Sequence, residues 1–217
     1  MLIKDIMTKS VVTVSSNTSV SDAKRIMKEY GFRRLPVVDD GKLLGVVTEA
    51  RLERVSPKST TPLLWQVAYV VSHTTVRDVM ETKIVTIKPT ATVEQGVALA
   101  QKNRVGSLIV VDKGKVVGIT TTNDFFYNVV NPVLGLGEPG TRILVTGGGD
   151  GKTAEKVLAC LNKFGIETKV IWIVESYADN KKAKKDIVFH IDVEDAAPVI
   201  EELSRCGFDA TERARSV

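Results

Sequence analysis

The sequence contains only two cysteines and two histidines, and neither pair is placed for an obvious chemical role. Two cysteines, Cys160 and Cys206, do not make a disulfide framework, and both lie in apolar, helix-like patterns that predict buried, inert thiols. His73 and His190 have no cysteine or carboxylate at metal-ligand spacing. The sequence therefore predicts no metal site and no cofactor, and it is typical of a protein from a reducing cytoplasm.

Long hydrophobic runs are also missing. The longest candidate, residues 63–71, contains Gln66 and is far shorter than the roughly 18 residues that a transmembrane helix needs. The first residues have neither the basic nor the apolar region of a signal peptide. Aromatic residues make up 6% of the chain, and no basic stripe is interleaved with them. We therefore expect neither a membrane nor a nucleic acid as a partner.

No set of residues indicates catalysis. The sequence has no Ser–His–Asp or Cys–His set and no isolated pair of carboxylates. Gly151-Lys152-Thr153 resembles the end of a phosphate-binding P-loop, but Thr146 stands where that motif has its first glycine. We therefore expect a binding protein and not an enzyme. A small NTPase is the remaining catalytic alternative, and it would require magnesium-dependent turnover.

The net charge of +4 is unevenly distributed. Residues 1–130 carry 18 Lys and Arg against 12 Asp and Glu, which gives +6. Residues 131–217 carry 12 against 14, which gives −2. A basic first part suits ligands that bear phosphate groups.

The first part of the chain repeats itself at a constant offset of 73 residues. Such self-similarity signals a duplicated unit whose open face is covered by its twin. The matching positions are Asp5-Ile6-Met7 with Asp78-Val79-Met80, Val12-Thr13-Val14 with Val85-Thr86-Ile87, Val37-Val38-Asp39 with Val110-Val111-Asp112, Gly45 with Gly118, and Thr48 with Thr121. We therefore predict two copies of one structural unit.

Hydrophobic periodicity predicts the same elements in each copy. In the first copy, a strand over 11–14 precedes a helix that begins at Ser19 or Ser21 and ends at Gly31. Strands over 35–38 and 42–48 then flank the hairpin-type turn Asp39-Asp40-Gly41. The second copy is predicted to contain a strand over 84–87, a helix over 93–102, and strands over 107–111 and 115–121.

The end of the second copy carries a hydroxyl and a carboxylate three residues apart, Thr121 and Asp124, where a strand gives way to a helix. A pair placed in this way can cap the helix N-terminus. It can equally bind a nucleotide, with the ribose diol on the carboxylate and the phosphate near the hydroxyl. The duplication favours the second interpretation.

These residues resemble the CBS-domain family. The resemblance rests on the Asp-Ile-Met opening, the segment RRLPVVDDGKLLGVVT at 33–48, and the closing Gly-x-x-Thr-x-x-Asp of the second copy. It implies that the two repeats pair and bind an adenosine nucleotide, AMP, ADP, ATP or a related ligand, in a cleft between them, with Asp124 on the ribose and Arg33 on the phosphate. The implied nucleotide-binding residues are Val11, Val12, Thr13, Phe32, Arg33, Arg34, Gly106, Ser107, Thr121 and Asp124.

The first repeat departs from the family motif, because Arg51 stands where the aspartate is expected after Thr48. Arginine has only donors, so it cannot accept hydrogen bonds from ribose hydroxyls. The resemblance therefore implies a degenerate second cleft that is empty, binds by phosphate alone, or holds Arg51 in a salt bridge. The residues of this cleft are Thr48, Arg51, Ile84, Val85 and Thr86, beside Gly106 and Ser107.

Residues 141–217 are predicted to follow the order βαββαβ, which is the ferredoxin-like arrangement. After a CBS pair, this order resembles the ACT domain, a small regulatory module that often binds amino acids at a dimer interface. The loop at Asp150 and Gly151 would be its effector loop, although the family's proline is missing. A loop that binds nothing is an equal alternative.

The predicted fold class is therefore α/β (α+β), a CBS pair with a C-terminal ferredoxin-like ACT domain. The predicted divisions are repeat 1 (1–55), an inter-repeat insertion (56–75), repeat 2 (76–130), a linker (131–140) and the ACT-like domain (141–217). The insertion is interpreted as a packed connecting helix, or else as a dimer contact.

The whole layout resembles CBS–ACT proteins of the acetoin-utilisation type. It implies a cytoplasmic regulatory protein that senses an adenosine nucleotide, AMP or ATP in particular, and forms a homodimer. The ACT-like domain would bind a second effector or mediate dimerisation. The alternative is a non-catalytic, dimerising scaffold for a metabolic enzyme, in which the nucleotide clefts are vestigial.

Overall fold

The computed structural model describes residues 1–55, 74–176 and 185–213. The chain divides into two compact units, Met1–Phe126 and Tyr127–Val217. Residues 56–73, which make up most of the predicted inter-repeat insertion and include His73, lie outside the described part of the chain. No described helix combines the length and the apolar character that a membrane-spanning segment requires.

The first unit contains two similar sets of elements, and the second set has one additional short strand, β3. β1 and β2 form a two-stranded antiparallel sheet, and β3, β4 and β5 form a three-stranded sheet in that order. The elements are α1 (Ile3–Ile6), α2 (Val20–Tyr30), β1 (Arg34–Asp39), β2 (Lys42–Thr48), α3 (Glu49–Arg54), α4 (Val76–Val79), β3 (Thr86–Ile87), α5 (Val93–Asn103), β4 (Ser107–Asp112), β5 (Lys115–Thr121) and α6 (Thr122–Phe125).

Local sequence signals account for the ends of the α2 helix and the β1–β2 hairpin. Ser19 caps α2 by accepting a hydrogen bond from the Asp22 amide, and Gly31 ends the helix in the left-handed conformation at φ 69°. At the hairpin, Asp40 and Gly41 both have positive φ, 49° and 76°. Two such residues in succession suit the tight turn of an antiparallel hairpin. These predicted elements are confirmed.

Each repeat packs its opening segment on the other repeat. Met7 lies against Gly118 of the second repeat, and Met80 lies against Gly45 of the first. Backbone bridges between Thr8 and Ile119 and between Val46 and Glu81 also join the opening segment of one repeat to a strand of the other. A Cβ atom at Gly118 would come 2.4 Å from the Met7 sulfur, so only glycine leaves room for the methionine. The Asp-x-Met and glycine repeats therefore form the contact between the two copies.

The predicted strand over residues 11–14 is wrong. Only Val14 pairs with a strand, through a parallel bridge to Val37. The Val11 amide donates to the Lys9 carbonyl at 3.1 Å, and this local turn keeps the residues before Val14 out of the sheet. The second repeat shows the same turn at Ile84, whose amide donates to Thr82, so the predicted strand over 84–87 is reduced to Thr86–Ile87.

Residues 126–134, which follow α6 along the chain, are helical. They comprise a π-helical turn, Phe126–Val130, and the short helix α7, Asn131–Leu134, which ends at Gly135 with φ 62°. The first residues of the predicted linker, 131–134, are therefore helical.

From residue 141 onward, the described residues of the second unit form a four-stranded antiparallel sheet and two helices. Its strands lie in the order β7-β8-β6-β9, which together with the βαββαβ sequence of elements gives the ferredoxin-like arrangement. The elements are β6 (Thr141–Val145), α8 (Gly151–Lys163), β7 (Thr168–Val174), β8 (Asp186–Ile191), α9 (Ala197–Arg205) and β9 (Ala210–Arg213).

The core of the second unit lies between its sheet and its helices α8 and α9. Phe189 and Ile143 from the central strands pack with Leu161 and Leu203 from the helices, and all four are fully buried. The central strand β8 is buried at every position. His190 therefore lies inside the unit, with its Nε2 3.2 Å from the Pro139 carbonyl oxygen, in a structural position.

The expectation that both cysteines are buried is wrong for Cys206. Cys160 lies in the middle of α8 and is 3% exposed, but Cys206 is exposed. Cys206 is the residue at which α9 ends, immediately before the turn at Gly207. The apolar periodicity of a helix does not predict burial beyond its last turn, where the chain leaves the packed face.

Candidate functional site

A cavity of about 770 Å³ opens on the first unit and is lined by residues of both repeats. The lining residues are Thr8, Ser10, Val11, Val12, Gly31, Phe32, Arg33, Arg34, Thr48, Glu49, Ala50, Ile119, Thr121, Thr122, Asn123 and Asp124. Seven of the ten residues predicted for the nucleotide site are among them: Val11, Val12, Phe32, Arg33, Arg34, Thr121 and Asp124. The other three are Thr13, whose side chain is exposed, and Gly106 and Ser107.

Asp124 lies at one wall of the cavity and uses one carboxylate oxygen to cap α6. Its Oδ2 accepts hydrogen bonds from the Thr121 amide at 2.7 Å and from the Thr121 hydroxyl at 2.8 Å. Among the described residues, its second oxygen, Oδ1, has no hydrogen-bond partner. The capping role is therefore real, and it leaves one oxygen of the carboxylate able to accept a hydrogen bond from a ligand.

Arg34 is fixed beside the cavity by Gly106. The Arg34 Nη1 donates to the Gly106 carbonyl oxygen at 3.3 Å. The same carbonyl accepts from the Thr122 amide at 3.2 Å, so Gly106 connects the arginine to the start of α6. A Cβ atom on Gly106 would lie 2.9 Å from the Arg34 Nη2. Gly106 therefore acts by positioning Arg34, although it does not line the cavity.

Arg33 and Glu49 form a loose ion pair at the cavity wall. The Arg33 Nε lies 3.9 Å from the Glu49 Oε2, and the two side chains are 86% and 53% exposed. An ion pair of this kind contributes little to stability because water screens it. The Arg33 guanidinium is therefore free to reorient toward an anionic ligand.

Phe32 supplies an aromatic surface. It stacks on Tyr30, with ring centroids 5.9 Å apart and planes inclined by 10°. Val11 and Val12 add aliphatic surface to the same cavity. This combination provides contacts for a flat, apolar ring.

The sequence did not single out several residues of the cavity, among them Thr8, Ser10, Glu49 and Asn123. Thr8 and Ser10 reach the cavity because the segment after Met7 crosses to the second repeat, where Thr8 pairs with Ile119. The repeated Asp-x-Met motif was the available signal, since it marks the start of this crossing segment. Glu49 follows Thr48 directly, and nothing in its own sequence context distinguishes it.

The predicted second cleft holds Arg51 in contacts within the protein. The Arg51 Nη1 donates to the Val79 carbonyl oxygen at 3.4 Å, and its Nη2 lies 3.6 Å from the Glu81 carboxylate. The salt bridge, one of the three alternatives left open by the sequence, is present in the structure. Thr48 lines the cavity described above, whereas Arg51, Ile84, Val85 and Thr86 are not among its lining residues.

In the loop before α8, the side chain of Asp150 binds the free amides at the start of the helix. The Asp150 carboxylate caps the helix by accepting from the Lys152 and Thr153 amides, each at 3.1 Å. The pKa of Asp150 lies below its usual value, mainly because of the hydrogen bond from the Thr153 side chain and also because of the one from the Thr153 amide. Asp150 thus occupies the position in which a ligand carboxylate would meet these two amides.

Comparison with known proteins identifies the first unit. The CBS domain family matches residues 3–57 and 76–131, which together make up half of the chain. The chain therefore belongs to the CBS-domain family and contains a tandem CBS pair.

Individual relatives agree with this assignment. The chain is 29% identical over 127 residues to the CBS domain-containing protein YhcV of Bacillus subtilis, covering 58% of this chain and 84% of the relative. It also resembles the crystal structure of a protein from Vibrio cholerae described as an acetoin utilisation protein, AcuB. The TM-score is 0.52 at 29% identity, over 64% of this chain and 96% of that one.

Some relatives are much longer enzymes. Inosine-5'-monophosphate dehydrogenase from Korarchaeum cryptofilum is 29% identical over 125 residues, which cover 57% of this chain but only 23% of the enzyme. The similarity spans a small part of that protein, so its enzymatic activity is not carried over to this chain.

Proposed function

We propose that the CBS pair binds one adenosine nucleotide in the cavity lined by Asp124, and that the protein is regulatory and not an enzyme. The observation that carries the proposal is the Asp124 carboxylate, which lies at the cavity wall with Oδ2 fixed by Thr121. A fixed carboxylate with one unpaired oxygen is suited to accept a hydrogen bond from a ribose hydroxyl.

The remaining groups of the nucleotide have complementary partners in the same cavity. Arg33 and Arg34 are the cations available to a phosphate, and a guanidinium can bind phosphate oxygens through two parallel hydrogen bonds. The Thr8 and Ser10 hydroxyls add neutral donors. Val11, Val12 and Phe32 provide apolar surface for the base.

The charges of the cavity favour a nucleotide with few phosphates. Its lining contains two cations, Arg33 and Arg34, and two carboxylates, Glu49 and Asp124. These formal charges cancel, so the cavity offers no excess positive charge to a triphosphate. We therefore expect AMP to bind at least as tightly as ATP.

The second unit is proposed to be an ACT-like module. Its βαββαβ order and its β7-β8-β6-β9 sheet support this interpretation. In this proposal the module mediates dimerisation or binds a second effector. Because Asp150 itself caps α8, an effector carboxylate would have to displace it, and this favours dimerisation over amino-acid binding.

A non-catalytic scaffold for a metabolic enzyme remains the second candidate. The observation in its favour is Arg51, which stands in the first repeat where a ribose-binding aspartate is expected and pairs with Glu81 instead. The similarity to the protein described as AcuB supports a connection with acetoin metabolism for either candidate. Nucleotide binding to the cavity separates the two, since a vestigial pair would bind none.

The test uses two aspartates with the same capping geometry. Asp78 caps α4 by accepting from the Thr75 amide at 2.8 Å and from the Thr75 hydroxyl at 2.9 Å, but it does not line the cavity. Asp124→Asn should weaken AMP binding about 10- to 100-fold, because a hydrogen bond to a charged group contributes about 1.5–3 kcal/mol.

The matched variant Asp78→Asn controls for loss of a cap. It should leave the dissociation constant for AMP unchanged, even if both variants lose some thermal stability. Equal affinity for AMP in wild type, Asp124→Asn and Asp78→Asn, measured by calorimetry, would show that the ribose does not bind at Asp124.

A further inference from the structure

Three side chains that can ligate metals meet on one side of the second unit. They are Cys160 from α8 and Glu202 and Cys206 from α9, and their ligand atoms all lie within 4.8 Å of one another. Glu202 and Cys206 are four residues apart, which places them on the same face of the helix. Because packing of the two helices brings Cys160 to this face, sequence spacing gave no sign of the cluster.

The distance between the two sulfur atoms fits joint coordination. The Cys160 and Cys206 Sγ atoms are 3.6 Å apart. In a tetrahedral site with Zn–S bonds of about 2.3 Å, two thiolates lie about 3.8 Å apart. A rearrangement of a few tenths of an ångström therefore brings both sulfurs to coordination distance from one ion.

The three residues of the cluster differ in solvent exposure, so a metal ion can reach the cluster from its exposed side. Cys160 is buried, Glu202 is half-buried and Cys206 is exposed. The Arg205 Nη1 lies 3.5 Å from the Glu202 Oε2, and among the described residues the Glu202 Oε1 has no hydrogen-bond partner. Two thiols and a carboxylate leave the fourth tetrahedral position to water.

We propose that Cys160, Glu202 and Cys206 form a binding site for a borderline-soft metal ion of the Zn²⁺ class. Thiolate ligands select such ions over Mg²⁺ and Ca²⁺, which prefer oxygen ligands alone. The ion would take the place of the thiol protons, so each metal bound releases protons to solvent. The site is separate from the nucleotide cavity, which lies wholly in the first unit.

The bound ion would connect the two helices of the ferredoxin-like unit. Cys160 lies within α8, and Cys206 lies at the end of α9. Metal binding to the folded state only would raise the melting temperature of the unit by mass action. The proposed consequence is that the thermal stability of the second unit increases with the concentration of the metal ion.

The test is titration of the reduced full-length protein with Cd²⁺, followed by thiolate-to-metal charge-transfer absorbance in the ultraviolet. The chain has only two cysteines, so any such band reports binding to Cys160, Cys206 or both. We expect saturation at one Cd²⁺ per chain and competition by Zn²⁺. Zn²⁺ should also raise the melting temperature.

Three variants make the assignment specific. Cys206→Ser changes an exposed residue, so it should fold normally, lose the charge-transfer band at stoichiometric Cd²⁺ and lose the stabilisation by Zn²⁺. Glu202→Gln should keep the band but weaken the affinity for Cd²⁺ about tenfold or more. Glu155→Gln is the matched control, since Glu155 is an exposed residue of α8 that does not belong to the cluster, and it should change nothing.

The proposal is overturned if wild-type protein shows no charge-transfer band at saturating Cd²⁺. It is overturned equally if the band persists in Cys206→Ser, or if it saturates at one Cd²⁺ per two chains through Cys206 of separate molecules. The same affinity in Glu202→Gln as in Glu155→Gln would overturn the three-residue site, because it would show that Glu202 is not a ligand.

Discussion

At the scale of single residues, the position of Asp124 distinguishes a cap from a ligand-binding group. Asp124 and Asp78 cap their helices through the same two hydrogen bonds, from the amide and the hydroxyl of a threonine three residues earlier. Only Asp124 lines the cavity, beside Arg33 and Arg34. The Thr-x-x-Asp motif therefore accounts for the helix cap. The proposed binding role depends on Arg33 and Arg34, which the other repeat contributes to the same cavity.

Gly106 offers a test of how Arg34 is positioned. In Gly106→Ala the new methyl group would come 2.9 Å from the Arg34 Nη2, the end of a flexible side chain that can move away. We expect little loss of thermal stability but about tenfold weaker AMP binding, because Arg34 leaves its place beside the cavity. Calorimetric titration together with a melting curve measures both effects. Unchanged affinity would mean that Arg34 does not contact the ligand.

Asp39 makes the first unit sensitive to acid. It accepts hydrogen bonds from the Ser16 hydroxyl at 2.6 Å, the Ser16 amide at 2.9 Å and the Ser15 hydroxyl at 2.9 Å. The pKa of Asp39 lies below its usual value, mainly because of the hydrogen bonds from Ser16. The hydrogen bond from Ser15 and the nearby charge of Arg77 lower it further. Because the pKa is lowered in the folded state, the stabilisation is present above about pH 4 and is lost as the pH falls below it.

We therefore expect Asp39→Asn to lower the melting temperature at pH 7, with a difference from wild type that shrinks below about pH 4. Melting curves from pH 7 to pH 3 measure this. Asp40→Asn is the control, since asparagine also tolerates the left-handed conformation at this turn. A difference between wild type and Asp39→Asn that stays constant with pH would contradict the assignment.

At the scale of elements, the two repeats are held together by an exchange of their opening segments. Met7 packs on Gly118 in β5, and Met80 packs on Gly45 in β2. The backbone bridges Leu2–Thr92 and Ser19–Thr75 are also equivalent under the 73-residue offset, and each of them joins the two repeats. This exchange places residues of one repeat in the cavity wall of the other, so the integrity of the pair and the formation of the cavity depend on the same contacts.

Gly118→Ala tests this contact. Its Cβ would lie 2.4 Å from the Met7 sulfur and 3.2 Å from the Thr8 carbonyl oxygen, so both the side chain and the crossing backbone must shift. We expect a loss of about 1–3 kcal/mol in the free energy of unfolding, measured by denaturant titration. Gly151→Ala, where a Cβ meets nothing within 4 Å in the first turn of α8, should be neutral or slightly stabilising. Equal stability of Gly118→Ala and wild type would show that the methionine contact is unimportant.

Elements with local signals were predictable from the sequence. The α2 helix has a serine cap and a terminal glycine, and the β1–β2 hairpin has Asp40 and Gly41 at its turn. The segment before Val14 was not predictable, since its apolar residues favour a strand while a local turn at Val11 prevents pairing. Exposure at Cys206 likewise depends on where α9 leaves the packed face.

The candidate site was predictable only in part. Repetition and the family motif pointed to Thr121, Asp124 and the arginines at 33 and 34, which line one cavity. Thr8 was missed because packing on the other repeat brings it to the cavity, where it pairs with Ile119, and the Asp-x-Met motif was its only signal. Glu49 was missed because nothing in its own sequence context distinguishes it. The thiol cluster was missed because only the packing of α8 against α9 brings Cys160 to Glu202 and Cys206.

At the scale of the whole molecule, the chain combines a CBS pair with a ferredoxin-like unit. We propose that it transmits a signal by population shift, in which a nucleotide stabilises one arrangement of the protein through its higher affinity for that arrangement. The size of the response is then limited by the ratio of the two affinities. Binding of the nucleotide is the step on which the rest of this proposal depends.

The most direct measurement is a calorimetric titration of the full-length protein with AMP, ATP and S-adenosylmethionine in parallel. We predict saturable binding close to one site per chain, with AMP at least as tight as ATP. The charges of the cavity cancel, and in the first repeat Arg51 stands where a ribose-binding carboxylate is expected. Absence of binding by all three ligands would contradict the account and favour the scaffold. Two equivalent sites per chain would contradict the assignment of a single functional cleft.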